Sequence, residues 1–157
     1  MITGPATAEL TERGVRLTRV FDAPPEQVFA AWTDPDSLDQ WWGPQGFRNE
    51  THSMEFKPGG AWLYTMHGPD GVDFPNRIIY RAIEAPSRLT FTHDSGEDGD
   101  ANVMEVTVTF EEQDGLTRLT MHTLFRSAEL RDQVVEEYQA IEGGRQTLER
   151  LADFLTD

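Results

Sequence analysis

Two side chains combine acid–base capacity with an apolar setting. Tyr64 sits in Ala61–His67, where Trp62, Tyr64 and Met66 alternate onto one face. His93 sits in Leu89–His93, sharing a face with Leu89 and Phe91. A histidine titrates near neutrality and is the natural general acid or base. A buried phenol needs a hydrogen-bond partner. Beside His93 and Tyr64, only carboxylates could do such work, because there is no cysteine. That removes thiolate catalysis, disulfides, zinc ribbons and iron–sulfur clusters together.

Other chemistries fail on spacing. The four histidines, His52, His67, His93 and His122, are far apart and form no His-x-x-x-His pair. The run Asp98-Gly99-Asp100-Ala101-Asn102 starts like a calcium loop. It has Val103 where that loop needs Gly at position six and Thr109 where it needs Glu at position twelve. There is no phosphate-cradling glycine motif and no G-x-S-x-G elbow. No metal and no cofactor is expected.

The chain has 157 residues and a net charge of −15, from 28 acidic and 13 basic residues; all the bases but Lys57 are Arg. Residues 1–67, 68–126 and 127–157 are each net negative, which argues against nucleic acid and anionic membrane surfaces as partners. No apolar run is long enough to span a bilayer, and no signal-peptide pattern is present. A cytoplasmic protein, monomer or homodimer, is expected. The length suits one domain over residues 1–157, with residues 1–10 expected to be flexible because they show no periodicity.

The elements that must position Tyr64 and His93 follow from period and turn chemistry. Val15–Phe21 alternates as a strand. Two short helices follow: one opens at Pro24-Pro25-Glu26, the other has Asp34 as N-cap and Pro35 in its first turn. Gly43-Pro44 ends the second. A block of strands then runs to Phe125, punctuated by Pro58-Gly59-Gly60, by Glu84-Ala85-Pro86-Ser87, and by the hairpin signal Asp114-Gly115. From Ser127 the period becomes helical through Val134, Tyr138, Ile141, Leu148, Leu151 and Leu155. One long helix of about 28 residues is expected, roughly 40 Å at 1.5 Å per residue. The order predicts an α+β fold, an antiparallel sheet with helices on one side.

Several strings, in this order, resemble the bacterial relatives of the activator of Hsp90 ATPase: Arg19-Val20-Phe21-Asp22-Ala23-Pro24, Ala31-Trp32-Thr33-Asp34-Pro35, Trp41-Trp42-Gly43-Pro44, Lys57-Pro58-Gly59-Gly60-Ala61-Trp62, His67-Gly68-Pro69-Asp70-Gly71, Pro86-Ser87-Arg88-Leu89 and Gln146-Thr147-Leu148-Glu149-Arg150-Leu151. These relatives fall in the START-like, or Bet v 1-like, superfamily, and the resemblance spans residues 15–156. It implies a helix-grip fold, in which about seven curved antiparallel strands wrap a long C-terminal helix and two short helices close one end. It also implies an apolar cavity between helix and sheet, where many superfamily members bind lipids, sterols, polyketides or hormones, and a minority act as enzymes. Many relatives carry Trp where this chain has Gly144; if that position faces the cavity, the exchange enlarges it.

The expected function is therefore binding of a small hydrophobic or aromatic molecule. The expected site is Trp62, Tyr64, Met66, Phe91, His93, Trp42, Phe47, Tyr138 and Ile141, with one of Trp41 and Trp42 bordering the cavity entrance and the other in the core. The alternatives are a cyclase- or hydratase-like enzyme using His93 and Tyr64, and a co-chaperone-like interaction module. Arg77 and Arg81 are expected on a solvated strand face and Glu105 outside. Glu142 and Arg145 read either as an exposed pair or as the polar end of the cavity.

Overall fold

A computed structural model describes residues 5–97 and 103–156. The chain forms β1 (Thr7–Leu10), β2 (Gly14–Phe21), α1 (Pro25–Ala30), α2 (Pro35–Trp41), β3 (Arg48–Met54), β4 (Ala61–His67), β5 (Asp73–Glu84), β6 (Arg88–Asp94), β7 (Met104–Gln113), β8 (Leu116–Leu124), α3 (Ala128–Tyr138) and α4 (Ala140–Thr156). The strands make one open antiparallel sheet in the order β1-β2-β8-β7-β6-β5-β4-β3. This is the α+β helix-grip architecture, with eight strands where about seven are expected. Register shifts at Thr51/Ser53 and Tyr80/Ala82 put an extra residue into β3 and β5, and such bulges bend and twist a sheet.

Local signals set most boundaries. The Asp34 carboxylate accepts the Ser37 N–H at 2.9 Å to cap α2, and the Ser127 hydroxyl accepts the Leu130 N–H at 3.0 Å to cap α3. Asp114 and Gly115 turn β7 into β8 with φ of 53° and 84°, the left-handed pair that a two-residue hairpin requires.

Two expectations need correction. Thr7–Leu10, within the stretch expected to be flexible, pairs with β2 as an edge strand, and the Ala6 N–H donates to Glu149 Oε2 at 2.9 Å. Both partners are distant in sequence, so local periodicity carries no trace of them. The single long helix is in fact two, broken at Gln139, whose φ of 53° is left-handed. The glycine pair, where the periodicity is interrupted, is instead helical within α4.

The inward faces of β2 and β4 to β8, the two short helices α1 and α2 and one stripe of α4 make the core, with Leu148 and Leu151 fully buried. Polar ties fix α4 over β2. Glu149 Oε1 accepts from Arg19 Nη2 at 2.9 Å and from Nε at 3.1 Å. Burial would raise the Glu149 pKa, but the hydrogen bonds from Arg19 and Ala6 and the Arg19 charge hold it below the usual value. A group whose pKa is depressed on folding contributes stability above its unfolded pKa, and that contribution is lost as pH falls through the folded pKa. Glu149→Gln is therefore expected to lower unfolding free energy at neutral pH by about 1 kcal/mol, a value reduced for partial exposure. In urea titrations across pH, the gap between variant and wild type should close below the folded pKa.

Candidate functional site

A half-open cavity of about 420 Å³ lies between the sheet and the C-terminal helices. Its apolar wall comes from Val15 and Leu17 on β2, Met66 on β4, Phe91 on β6, Met104 and Val106 on β7, Met121 on β8 and Val134 on α3. Phe74 and Pro75 of β5 and Phe125 complete it, while Gly143 and Gly144 of α4 contribute backbone. The polar members are Asn76, His93, Asp94 and Ser95 near adjoining ends of β5 and β6, with Thr123 and Thr147 elsewhere on the wall.

Of the expected site residues, Trp42, Met66, Phe91 and His93 line this cavity. Trp62 and Tyr64 do not; both are 1 % exposed and stack on each other at 3.9 Å behind the wall. Phe47 packs against Phe74, ring to ring at 6.2 Å, outside the lining. Ile141 packs against the core instead. The side chain of Tyr138 lies outside the described residues, as does the Asp98–Asn102 loop. Trp41 is fully buried, and its indole N–H donates to the Ala31 carbonyl at 3.0 Å. Trp42 is the member of the pair at the cavity.

Tyr64 still bears on the site, through hydrogen bonds. The Trp42 indole N–H donates to its hydroxyl at 2.8 Å, and that hydroxyl lies 3.1 Å from His93 Nε2. His93 Nε2 is also 2.8 Å from Asn76 Oδ1, while the Asn76 amide nitrogen donates to the Phe74 carbonyl at 2.9 Å. Burial pushes the Tyr64 hydroxyl far above the ordinary phenol range, and the Trp42 hydrogen bond offsets that only in part. Tyr64 is thus a neutral phenol that ties the wall histidine to the wall indole.

The cap over the cavity is held from α4. Arg150 Nη1 donates to the carbonyls of Gly43 and Pro44 at 3.0 and 3.1 Å, and Nη2 donates to the Gln40 carbonyl at 3.2 Å. These carbonyls belong to the end of α2 and the segment after it, where the helix dipole favours a cation. Gln146 Oε1 accepts the Gln45 N–H at 3.1 Å. The Asn49 amide donates to the Trp42 carbonyl at 2.7 Å. Trp42 is fixed by both ends: its backbone by Asn49, its side chain by Tyr64.

Arg77 is not on a solvated face as expected. It is half-buried and grips Asp94 through Nε–Oδ1 at 3.0 Å and Nη2–Oδ2 at 2.8 Å, because the β5–β6 register puts the two residues opposite each other. Arg81 and Glu105 are exposed. Neither Glu142 nor Arg145 lines the cavity. His67 lies outside the cavity between Asp73 and Glu50, whose hydrogen bonds raise its pKa. Among the described residues, no three His, Asp or Glu side chains converge as a metal site.

Sequence reasoning missed Asn76, Asp94 and the inward residues of β2, β7 and β8. The alternation of Val106/Val108 and of Leu119/Met121 marks that face as buried. Which member meets the helices and which meets the gap depends on height along the strand, and a period of two carries no such information.

The sequence matches the family described as activator of Hsp90 ATPase homolog 1-like protein over residues 22–156. The chain belongs to that family. A comparison with curated proteins returns no match. Among solved structures, a protein of Arthrobacter aurescens determined by solution NMR is 29% identical, over 96% of this chain and 91% of that one, with a TM-score of 0.87. A crystal structure from Mycobacterium smegmatis is 27% identical, over 99% and 98% of the two chains, with a TM-score of 0.85. A protein of Silicibacter pomeroyi that carries the family's name, 24% identical over 91% and 97% of the chains, has a TM-score of 0.72 and shows the same fold. No described helix is long and apolar enough to cross a membrane.

Within the family frame, Gly144 is the position to probe. A Cβ there would come within 2.5 Å of Leu17 Cδ1, and Leu17 is a cavity wall. Gly144→Ala should push the Leu17 tip into the cavity, an overpacking cost of about 1–3 kcal/mol partly offset by the roughly 1 kcal/mol gain in helix propensity. The expected result is a net stability loss of at most about 2 kcal/mol in denaturant titration, with a smaller cavity in a crystal structure. Tyr64→Phe leaves the buried Trp42 N–H without its acceptor and should cost about 1–3 kcal/mol. The double variant Tyr64→Phe/Trp42→Phe should cost less than the sum of the two single changes, because both remove the same hydrogen bond.

Proposed function

We propose that this protein binds a small hydrophobic or aromatic molecule in the cavity between the sheet and α3–α4. The observation that carries this reading is the cavity itself: about 420 Å³ with an apolar wall and one polar patch. Ligand sites are commonly 300–1,000 Å³, mostly apolar, with a few placed polar groups for orientation. The fold that comes with the family match over residues 22–156 supports it, since many helix-grip proteins bind ligands in the space between helix and sheet. Burial against Phe91, Met66 and Trp42 supplies affinity, and the Asn76–His93 patch orients the ligand.

The contact between His93 and Tyr64 favours, as a second reading, an acid–base enzyme in the same cavity. Against it, His93 Nε2 is engaged by Asn76 and lies against Tyr64, and a phenol held neutral by burial is a poor proton donor. In a binding protein, His93→Ala weakens or reorients the ligand; in an enzyme it abolishes turnover.

The neutral fluorophore N-phenyl-1-naphthylamine tests the binding reading. Its emission should rise saturably on mixing, with quenching of tryptophan emission through Trp42. Ala140→Phe, which places a ring at the start of α4 on the cavity wall, should weaken binding at least tenfold. No saturable signal, together with no co-purifying small molecule in native mass spectrometry, would sink the reading.

A further inference from the structure

Both ring nitrogens of His67, outside the cavity, meet carboxylates. Nδ1 lies 2.6 Å from Asp73 Oδ1 and Nε2 lies 2.9 Å from Glu50 Oε1. An ionised carboxylate only accepts, and a neutral imidazole has one N–H, so only the imidazolium donates to both. The two carboxylates belong to β5 and β3, the strands on either side of β4. Hydrogen bonds between ionised partners are stronger than neutral ones. The His67 pKa is raised, first by Asp73 and then by Glu50, with Arg48 on β3 opposing them. The other charged or titratable groups around it are committed. His52 on β3 is hydrogen-bonded to Thr65 Oγ1 at 2.8 Å, Asp70 in the hairpin accepts the Val72 N–H at 3.2 Å, and Arg77 further along β5 holds Asp94.

This cluster sits one rung from the cavity. Met66 and Phe74 are opposite each other on β4 and β5 and both line the cavity; the next pair toward the hairpin is His67 and Asp73. Phe74 is also 37% exposed, so it reaches from the cavity wall to solvent. Phe47, just before Glu50 in the chain, packs its ring on Phe74 at 6.2 Å. The cap segment and the hairpin meet again where a Cβ on Gly46 would lie 3.4 Å from Pro69. Loss of the His67 proton leaves one carboxylate facing a ring lone pair. Glu50 and Asp73 are both exposed, so the orphaned carboxylate takes water instead. The side-chain tie from β4 to β3 or to β5 is then lost.

We infer that His67 is a proton-controlled clasp at the cavity mouth: as imidazolium it ties β3, β4 and β5 together beside Met66 and Phe74, and its deprotonation loosens Phe74 and speeds exchange of the cavity's occupant. The control of exchange rests on the binding reading above; the loosening does not. A group whose pKa is raised on folding contributes fully below its unfolded value, about 6.5 for histidine, and loses that contribution as pH rises through the folded value. The clasp is therefore closed below about pH 6.5, down to the carboxylate range, and opens toward alkaline pH. Its exposed carboxylates also make it weaker in high salt.

Nuclear magnetic resonance locates the His67 titration from its ring carbon shifts between about pH 6 and about pH 10. Across that midpoint, carbon relaxation at the Val72 methyls and Phe74 Cα should show a loss of order. Stopped-flow dissociation of N-phenyl-1-naphthylamine, which stays uncharged throughout, should quicken at least threefold with the same midpoint. His67→Arg, a permanent cation whose fork can reach two carboxylates, should keep the ordered, slow state at every pH. His67→Gln, with no charge, should show the mobile, fast state at every pH. A midpoint that follows another histidine such as His93, or a pH dependence that survives in His67→Arg, overturns the clasp. So does unchanged order across the His67 midpoint. Order lost without faster dissociation overturns the control of exchange. If the fluorophore does not bind, the binding reading falls, and carbon relaxation alone decides the clasp.

Discussion

A curved sheet has a concave face, and an apolar concave face cannot stay in water. Most of this molecule answers that constraint. Leu148 and Leu151 of α4 bury themselves against the sheet, and burial of side chains of that size contributes about 1.5–3 kcal/mol each. The face is longer than α4 can cover, so α1 and α2 close one end and α3 the region beyond the break at Gln139. What none of them covers is the cavity. It is lined by the same alternating residues that elsewhere make solid core: Met121 meets the gap, while Leu119, two positions before it, is fully buried.

The cap has to be held without sealing that space, and polar groups do it. Arg150 satisfies backbone carbonyls at and beyond the end of α2, groups that a helix terminus leaves without partners. Asn49 takes the Trp42 carbonyl from the other side. The Trp42 side chain is then locked by Tyr64, which in turn lies against His93. A chain of contacts therefore runs from the cavity's polar patch, through a buried phenol, to the helix that closes the fold. The edge-on contacts of Trp42 with Trp32 and Trp41, at 5.6 Å each, stiffen the same corner.

The glycine pair of α4 shows how packing overrides propensity. Glycine weakens a helix by about 1 kcal/mol relative to alanine, and the sequence pattern does falter there. Yet the helix runs through both, because Gly144 lies against Leu17 and Gly143 against Pro44. Close approach of α4 to the sheet and to the cap needs a surface without Cβ atoms. The break falls instead at Gln139, a residue that local pattern gives no reason to single out.

The sequence by itself determined whatever depends on neighbours a few residues apart. That covers the α+β class, the caps at Asp34 and Ser127, the hairpin at Asp114-Gly115, the buried strand faces, and the exclusion of thiol chemistry. Its motifs also pointed to the helix-grip family. The division of labour between Trp41 and Trp42 was half legible, since one indole of an adjacent pair must face away from the other. Only the tertiary structure decided which buried residues meet empty space, that Tyr64 supports the wall from behind, that Asn76 and Asp94 belong to it, and that Thr7–Leu10 completes the sheet. Those outcomes depend on strand register, sheet curvature and the reach of side chains between elements up to 143 positions apart. A hydrophobic period records which face is buried, and it is silent on what that face is buried against.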